Sequence, residues 1–181
     1  METGLSDSVV LVTGGAGGIG ESICRAFASE GAKVIVHYHE SSENADKIAN
    51  EIDGLSIKAD LRDSSQALTL IDTIVEIFGR LDVCVANAGY YPSESKPIWD
   101  IDEERWNQTI SSNLDVAVNT ARGFLREASR TGSGSLVFVG STAGIYGESG
   151  HSDYAAAKGA ITSGLLMSVK NDVSVLGNVS A

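Results

Sequence analysis

Short apolar runs alternate with longer segments of helical periodicity, and this alternation limits the possible fold more than any other feature of the chain. The apolar runs cover residues 9–13, 33–38, 81–86 and 135–140, and a weaker run covers residues 55–59. Strands that are apolar on both faces are typical of parallel sheets with helices on each side. Alternating strands and helices also favour right-handed crossovers. The chain is therefore predicted to form an α/β fold, a doubly wound parallel sheet with helices on both faces.

The first helical segments carry apolar stripes and end signals. Residues 18–32 predict a helix that ends at Gly31, with a buried face of Ile19, Ile23, Ala26 and Phe27. Residues 64–80 predict a second helix with Ser64 as its N-cap and Gly79 as its stop. The apolar stripe of this second helix consists of Leu68, Ile71, Ile74, Val75 and Phe78.

The second half of the chain continues the pattern. Residues 103–129 and 152–170 predict two more helices, and residues 171–181 begin another apolar strand. A chain of 181 residues is long enough for one domain with a real core. We therefore expect a single domain over residues 1–181.

Composition excludes several classes of function. Hydrophobic residues make up 43% of the chain and charged residues 20%, with a formal net charge of −11. An acidic surface repels phosphate backbones and anionic lipids, so nucleic-acid and membrane partners are not expected. The first residues lack the basic flank and apolar stretch of a secretory signal, which favours a cytoplasmic location. Cys24 and Cys84 are predicted to be buried thiols, and the spacing of the histidines predicts no metal site.

Glycines fill the connection between the first strand and the first helix. The sequence TGGAGGIG at residues 13–20 follows the strand at once and opens the helix. Glycine permits a tight turn and lets a pyrophosphate approach the backbone, and the helix N-terminus supplies N–H groups and positive dipole. This coincidence indicates a dinucleotide site rather than an empty turn. No lysine follows the glycines, which disfavours a P-loop nucleotide-hydrolysing enzyme.

The last predicted helix carries a tyrosine and a lysine on one face. Tyr154 and Lys158 are four positions apart, so their side chains are neighbours. A phenol is a poor acid or base at neutral pH, but a nearby ammonium favours the phenolate. The pair is therefore placed to exchange a proton with a substrate oxygen. Considered alone, the two residues could equally be an exposed pair without chemistry.

Other residues stand at fixed places relative to these elements. The fourth strand ends in ANAG at residues 86–89, Asn113 lies in the long helix, and Ser141 precedes Tyr154 by thirteen positions. Together with the glycine loop and the Tyr154–Lys158 pair, these features resemble the short-chain dehydrogenase/reductase family in its compact single-domain branch. The family patterns are TGxxxGxG, NNAG, a helical asparagine, a serine and YxxxK. The resemblance runs from about residue 6 to the C-terminus and implies a Rossmann-type fold.

The resemblance implies a catalytic set. Tyr154 would exchange a proton with the substrate oxygen while the nicotinamide carries the hydride. Lys158 would favour the phenolate and hydrogen-bond the nicotinamide ribose. Ser141 would hydrogen-bond the same substrate oxygen, and Asn113 would hold a water that links Lys158 to solvent. The activity implied is that of an NAD(P)-dependent oxidoreductase acting on an alcohol or carbonyl compound.

The resemblance also implies cofactor contacts beyond the carboxyl ends of the strands. Asp60 would contact the adenine, and residues 87–89 would lie along the adenine ribose and the central sheet. The full expected set is Gly14, Gly18, Ile19, Gly20, Tyr38, His39, Asp60, Leu61, Asn87, Ala88, Gly89, Tyr154 and Lys158. The substrate pocket is expected to be lined by Tyr90, Tyr91, Ile145 and Tyr146.

The choice between NAD and NADP depends on the end of the second predicted strand. Tyr38 stands where NAD-type relatives carry aspartate, and Gly17 stands where many NADP-type relatives carry arginine or lysine. The sequence HYH at residues 37–39 resembles pteridine-reductase-like members, but Glu40 replaces their following arginine. A carboxylate near a phosphate dianion is unfavourable, although His39 could serve as a partial phosphate partner. NAD is therefore favoured over NADP.

Two other functions stay open at this point. Gly14, Gly17 and Gly20 also satisfy the TGxxGxxG pattern of the larger epimerase-type branch, whose dehydratases and epimerases retain bound NAD. The resemblance further implies that another strand, a substrate-covering loop and a last strand follow Ala181, as in a truncated member. Such a chain could be a non-catalytic nucleotide- or partner-binding module. The resemblance implies a dimer or tetramer for the full-length form.

Overall fold

Six parallel strands form one sheet in the computed structural model of the protein, which describes residues 3–181. The strands are β1 (Val9–Val12), β2 (Lys33–Tyr38), β3 (Leu55–Lys58), β4 (Val83–Ala86), β5 (Ser133–Phe138) and β6 (Asn178–Ser180). They lie in the order β3-β2-β1-β4-β5-β6, and each neighbouring pair is parallel. The predicted Rossmann-type parallel sheet is confirmed. Because the strand order reverses between β1 and β4, a crevice opens at their carboxyl ends.

Helices connect the strands and cover both faces of the sheet. They are α1 (Gly18–Ser29), α2 (Ser42–Glu51), α3 (Ser64–Phe78), α4 (Glu103–Ile110), α5 (Val116–Thr131), α6 (Ala143–Tyr146), α7 (Ser152–Gly159) and α8 (Leu166–Val173). π-helical segments, Ser111–Asp115 and Ala160–Leu165, join α4 to α5 and α7 to α8. The two long predicted helices are therefore present, each interrupted by wider turns. A short 3₁₀ turn, Ile98–Asp100, precedes α4.

Alternate residues of β1 enter two separate cores. Val9 and Leu11 pack with α3 and α5 on one face, whereas Val10 and Val12 pack with α1 and α2 on the other. All four side chains are almost fully buried. Burying one such side chain contributes about 2 kcal/mol, so both faces of the strand favour the central position. This two-sided burial explains why the strand reads as apolar throughout.

The predicted face of the first helix is partly wrong. Ile23 and Phe27 pack against the second core, but Ile19 is 66% exposed and Ala26 is also exposed. The first turn of the helix borders the crevice instead of the sheet, because Gly18, Ile19 and Gly20 all line that crevice. Gly20 and Cys24 form the buried side in its place, because only small side chains fit this close to the strands.

The cap of the third helix differs from the prediction by one residue. Asp63, not Ser64, is the N-cap, and its Oδ1 accepts a hydrogen bond of 2.8 Å from the backbone N–H of Ser65. Ser64 is instead the first residue of the helix. Gly79 ends the helix in the left-handed conformation, as predicted.

Strand bounds differ at the carboxyl half of the sheet. The predicted strand 135–140 spans Ser133–Phe138, and residues 81–82 lie before β4. The apolar strand expected within 171–181 is confirmed by β6, which pairs with β5. Three residues suffice because Val179 inserts into the core that also contains Val173.

Candidate active site

A crevice of about 680 Å³ lies at the carboxyl ends of β1 to β4. Its lining includes eleven of the thirteen residues predicted to contact a cofactor: Gly14, Gly18, Ile19, Gly20, Tyr38, His39, Asp60, Leu61, Asn87, Ala88 and Gly89. Four separate connections contribute them, so the fold brings together residues that are far apart in the sequence. The exposed Ile19, which fails as a core residue, is one wall of this crevice.

The glycine loop is shaped so that backbone, not side chain, borders the crevice. Gly14 has a φ of 63°, and a Cβ added there would lie 2.9 Å from the Ala88 Cα atom. A Cβ on Gly20 would lie 2.2 Å from the Gly14 carbonyl oxygen. A Cβ on Gly18, by contrast, would enter open space at the first residue of α1. This opening at a helix N-terminus fits a diphosphate, because the first N–H groups of a helix have no intrahelical acceptor.

A hydrogen-bonded lock joins the glycine loop to the end of β4. The Thr13 hydroxyl accepts hydrogen bonds of 3.0 Å from the N–H groups of both Asn87 and Ala88. In return, the Asn87 side-chain amide donates to the carbonyl oxygens of Thr13 at 2.9 Å and Gly14 at 3.3 Å. The ANAG segment therefore holds the loop in position as well as bordering the crevice.

His37 supports the same loop from below, and the sequence reading did not single it out as a site residue. The Gly14 N–H donates to His37 Nδ1 at 3.0 Å, and His37 Nε2 donates to the Ala59 carbonyl oxygen at 3.1 Å. Burial lowers the pKa of His37 to about 4, so the ring is neutral near pH 7. A histidine inside an apolar strand gives no periodic signal that would mark this role.

Charged side chains meet at the far end of the crevice. Arg62 forms a two-pronged pair with Asp60, with Nε–Oδ1 at 2.9 Å and Nη2–Oδ2 at 2.7 Å. These hydrogen bonds lower the pKa of Asp60 to about 2. His39 lies 3.7 Å from Asp60 and 3.8 Å from Glu40. Arg62 was missed in the sequence, because a residue after a strand end has no pattern of its own.

Lys158 and Asn113 lie behind Gly89. Lys158 is only 5% exposed, its Nζ donates to the Val139 carbonyl oxygen at 3.0 Å, and burial lowers its pKa. The Asn113 amide donates to the Tyr90 carbonyl oxygen at 2.7 Å and accepts from the Tyr90 N–H at 3.2 Å. A Cβ on Gly89 would lie 2.7 Å from Asn113 Oδ1 and 3.5 Å from Lys158 Nζ. Glycine is thus required where the crevice meets both side chains.

Tyr154 and Ser141 complete the predicted catalytic set on adjacent elements. Lys158 Nζ lies 5.9 Å from the centroid of the Tyr154 ring. Ser141 follows β5, and its hydroxyl accepts from the Ala143 N–H at 3.2 Å at the start of α6. That helix packs on α7, since a Cβ on Gly144 would lie 2.6 Å from the Lys158 carbonyl carbon. Within residues 3–181, the four side chains form no hydrogen bonds with one another.

A buried ion pair anchors the start of α7, one residue before Tyr154. Arg105 Nε lies 2.9 Å from Asp153 Oδ2, which also accepts from the Thr109 hydroxyl at 3.0 Å. Burial alone would raise the pKa of Asp153, but hydrogen bonds from Arg105, the Tyr154 backbone and Thr109 hold it below its ordinary value. Arg105 also donates to the carbonyl oxygens of Glu94 and Gly150. One guanidinium therefore joins three segments around the tyrosine.

The residues expected to line a substrate pocket are placed unevenly. Tyr90 borders the crevice, and the Tyr91 ring packs against Tyr154 at a centroid distance of 5.0 Å. Ile145 and Tyr146 are both well exposed on α6.

Residues 3–181 contain no group of three or more metal-ligating side chains and no helix that is long and apolar enough to cross a membrane. Cys24 and Cys84 are buried, as predicted.

Comparisons with known proteins agree with this architecture. Residues 8–179 match the family described as short chain dehydrogenase. The 3-oxoacyl-[acyl-carrier-protein] reductase FabG of Thermotoga maritima is 35% identical over 162 residues, which cover 87% of this chain and 65% of the relative. The cis-4-hydroxycyclohexanecarboxylate dehydrogenase of Sinomonas cyclohexanicum is 32% identical over 166 residues, or 89% and 66% of the two chains.

A solved structure extends the similarity to three dimensions. The crystal structure of a short chain dehydrogenase from Mycobacterium avium superposes with a TM-score of 0.87 at 31% identity. The match covers 97% of this chain and 70% of that one. The chain thus spans about two thirds of the length of the relatives that it matches.

Proposed function

The chain belongs to the short-chain dehydrogenase family, and from this we propose that it binds a nicotinamide dinucleotide and takes part in oxidising an alcohol or reducing a carbonyl compound. One observation carries the proposal. Eleven residues from four strand ends border a single crevice, and Gly89 connects that crevice to Lys158. The open space at Gly18 and the free N–H groups of α1 fit the diphosphate of such a cofactor.

We assign the proton-transfer role to Tyr154. When bound, the nicotinamide supplies the hydride donor or acceptor. The Tyr154 hydroxyl would give a proton to the carbonyl oxygen in reduction and take it back in oxidation. The Lys158 ammonium, one helical turn away and largely buried, would favour the phenolate through its positive charge. Its pKa is lowered by burial, which brings the ammonium closer to exchanging its own proton near neutral pH.

Ser141 and Asn113 would act at the edges of this chemistry. We propose that the Ser141 hydroxyl hydrogen-bonds the reacting oxygen and stabilises the charge that develops there. The Asn113 side chain is already engaged with Tyr90 and Thr109. Its first contribution would therefore be to hold the loop after β4 against α4, beside Lys158.

We propose that NAD is preferred over NADP. Two carboxylates, Glu40 and Asp60, border the end of the crevice where a 2′-phosphate would lie. The nearby cations offer little compensation, because Arg62 is held by Asp60 and His39 lies between Asp60 and Glu40. A phosphate dianion would be repelled here, whereas a ribose hydroxyl could donate a hydrogen bond to either carboxylate.

Fluorescence titration of the chain with NADH and with NADPH tests the proposal. We expect saturable binding of NADH and weaker binding of NADPH. Gly18→Asp should weaken NADH binding at least ten-fold, because it places a carboxylate where the diphosphate would bind while leaving the helix start favourable for folding. Gly18→Ala is the matched control and should lose much less.

Each other outcome has a distinct meaning. Tighter NADPH binding would overturn the NAD preference alone. Binding of neither nucleotide by a folded chain would overturn the proposed function. Binding without turnover of any alcohol or carbonyl compound would indicate a non-catalytic nucleotide-binding module.

A further inference from the structure

Tyr91 stands beside the proposed catalytic tyrosine in a fixed orientation. Its ring meets the Tyr154 ring edge-on, with centroids 5.0 Å apart and planes at 87°. On its other side it stacks on His151 at 4.6 Å with planes at 16°. Its hydroxyl donates a hydrogen bond of 2.7 Å to Glu148 Oε1. Three contacts therefore hold a side chain that is still 47% exposed.

The support behind Tyr91 is itself rigid. His151 is almost fully buried, and its Nε2 donates to the Pro92 carbonyl oxygen at 3.0 Å. The stacked ring is thus tied to the residue that directly follows Tyr91 in the chain. An aromatic surface that is both exposed and pre-organised loses little entropy when a ligand packs on it. This arrangement is typical of a recognition surface, since aromatic pairs add about 1 kcal/mol beyond area burial.

A second groove lies next to Tyr91, at its hydrogen-bond partner Glu148. It encloses about 340 Å³ and includes Pro97, Ile98, Trp99 and Glu148 in its lining. Trp99 is 81% exposed and Ile98 is also well exposed. Glu148 belongs both to this groove and to the hydrogen bond with Tyr91, so it connects the Tyr91–Tyr154 aromatic pair to the groove that contains Trp99.

The lining of this groove carries negative charge. Among the described residues that line the groove, Glu148 is the one charged side chain. Lys96, through its backbone N–H, and Arg105 both donate to the carbonyl oxygen of Gly150 in the groove lining. Their charges are already paired, because Lys96 lies 3.2 Å from Glu94 and Arg105 is held by Asp153. The chain as a whole carries a net charge of −11. A carboxylate or phosphate on a ligand would therefore meet repulsion at Glu148 without a compensating cation.

We propose that Tyr91 and Glu148 form the substrate-recognition wall, and that the substrate is a ring-bearing secondary alcohol or the matching ketone without negative charge. The proposal rests on the proposed function and names the substrate class of the same site. The ring of the substrate would pack on Tyr91 while its oxygen faces Tyr154. A neutral or cationic substituent would lie toward Glu148, where a hydrogen-bond donor gains a carboxylate acceptor.

Three ketones that differ in one substituent test the charge rule. Acetophenone is neutral, 4-acetylbenzoate is anionic and 4-(aminomethyl)acetophenone is cationic. Binding is measured by saturation-transfer NMR with and without NADH, and reduction by the loss of NADH absorbance. We expect the neutral and cationic ketones to bind at least ten-fold more tightly than the benzoate. Glu148→Gln should raise the affinity for 4-acetylbenzoate relative to that for acetophenone about five-fold.

Matched variants keep the test specific. Asp100→Asn removes a carboxylate next to Trp99 but not from the groove lining, and should leave that ratio unchanged. Tyr91→Leu should lose the preference for acetophenone over the open-chain 2-octanone, whereas Tyr91→Phe should keep it. Equal binding of all three aromatic ketones, or a ratio that Glu148→Gln does not move, would overturn the proposal. The NADH titration separates the two claims, because a chain that binds NADH but shows no such selectivity refutes this inference alone.

Discussion

A single buried imidazole supports the glycine loop from within the sheet. His37 accepts from the Gly14 N–H and donates to the Ala59 carbonyl oxygen, so it joins the loop after β1 to the end of β3. Gly14 has a φ of 63°, and its N–H donates to this ring at 3.0 Å. A neutral histidine offers one acceptor and one donor on opposite sides of a ring, which matches the two backbone groups.

Replacing His37 should therefore destabilise the glycine loop, and the loss should be larger when the new side chain has no hydrogen-bond acceptor. His37→Leu leaves the Gly14 N–H unpaired, and we expect a loss of about 1–3 kcal/mol in unfolding free energy together with weaker NADH binding. His37→Asn retains an acceptor near the Nδ1 position and should recover much of the binding. Urea unfolding and NADH titration of both variants measure these effects. Equal NADH affinity in the leucine variant and the parent would contradict the role.

The same residue predicts a pH dependence of stability. The pKa of His37 falls from about 6.5 in the unfolded chain to about 4 in the folded one, because burial disfavours the imidazolium. Between these two values the unfolded chain binds more protons than the folded chain. The contribution of His37 to the free energy of unfolding is therefore fully present above about pH 6.5, and up to about 3 kcal/mol is lost as the pH falls to 4. Asp60 and His39 act on the ring with opposite signs. Urea unfolding at pH 7.5 and 5.0 should show a smaller difference for His37→Asn than for the parent.

Some residues of the candidate site belong to a recognisable sequence pattern, and others do not. The glycines, ANAG and the Tyr154–Lys158 pair occur at fixed spacing, and the fold brings them to one crevice. His37, Arg62 and Arg105 could not be found in this way, because their partners are backbone or side-chain groups from distant segments. The proposed roles of the marked residues stay predictions until the cofactor titration is done.

At the scale of elements, α7 depends on one ion pair for its position. Arg105 lies on α4, and Asp153 lies in the first turn of α7 with its side chain fully buried. The carboxylate also favours the positive end of the helix dipole. Removing one partner leaves a buried charge without compensation, whereas removing both does not.

We expect changes at Arg105 and Asp153 to be strongly non-additive. Arg105→Met should lower the unfolding free energy by about 3 kcal/mol, because Asp153 is then buried and unpaired. The double variant Arg105→Met/Asp153→Leu should lose less than the sum of the two single changes. Urea unfolding measures all three. Arg126→Met, which breaks an exposed pair with Asp72, is the control and should not shift the urea midpoint. Additive losses would indicate that the pair is not coupled.

Elements could be predicted wherever burial imposes a period. β1 and β2 are covered on both faces, and their apolar runs match the observed strands closely. The π-helical segments were not predicted, because one extra residue in a turn leaves the average spacing of apolar side chains almost unchanged. The face of α1 was missed for a different reason. Its first turn borders the crevice, where an exposed Ile19 is compatible with ligand contact but not with the core.

For the whole molecule, the alternation of strands and helices was enough to predict a parallel sheet with helices on both faces. Right-handed crossovers then restrict where the strand order can reverse, and the crevice follows from that reversal. The bounds of β6 could not be predicted within the apolar stretch 171–181, since this strand is only three residues long and depends on Val179 entering the core. The single-domain reading and the oligomeric state stay predictions.

The net charge of the chain opposes binding of the proposed cofactor at long range. The chain carries −11 and a dinucleotide diphosphate is also anionic, so their long-range interaction is repulsive. Attraction must come from the short-range N–H groups and dipole of α1, which salt screens little once the ligand is in contact. Arg62, the guanidinium bordering the crevice, is already neutralised by Asp60.

NADH affinity should therefore stay constant or rise up to about two-fold between 20 and 300 mM NaCl, because salt screens the repulsion. Glu40→Arg reverses the local charge at the ribose end and supplies a cation for a 2′-phosphate. In this variant NADPH should bind more tightly than NADH at 20 mM NaCl and should weaken several-fold at 300 mM. Parallel fluorescence titrations measure both responses. A parent chain whose NADH affinity drops steeply with salt would mean that a cation already contacts the phosphates, and the dipole account of the glycine loop would then be wrong.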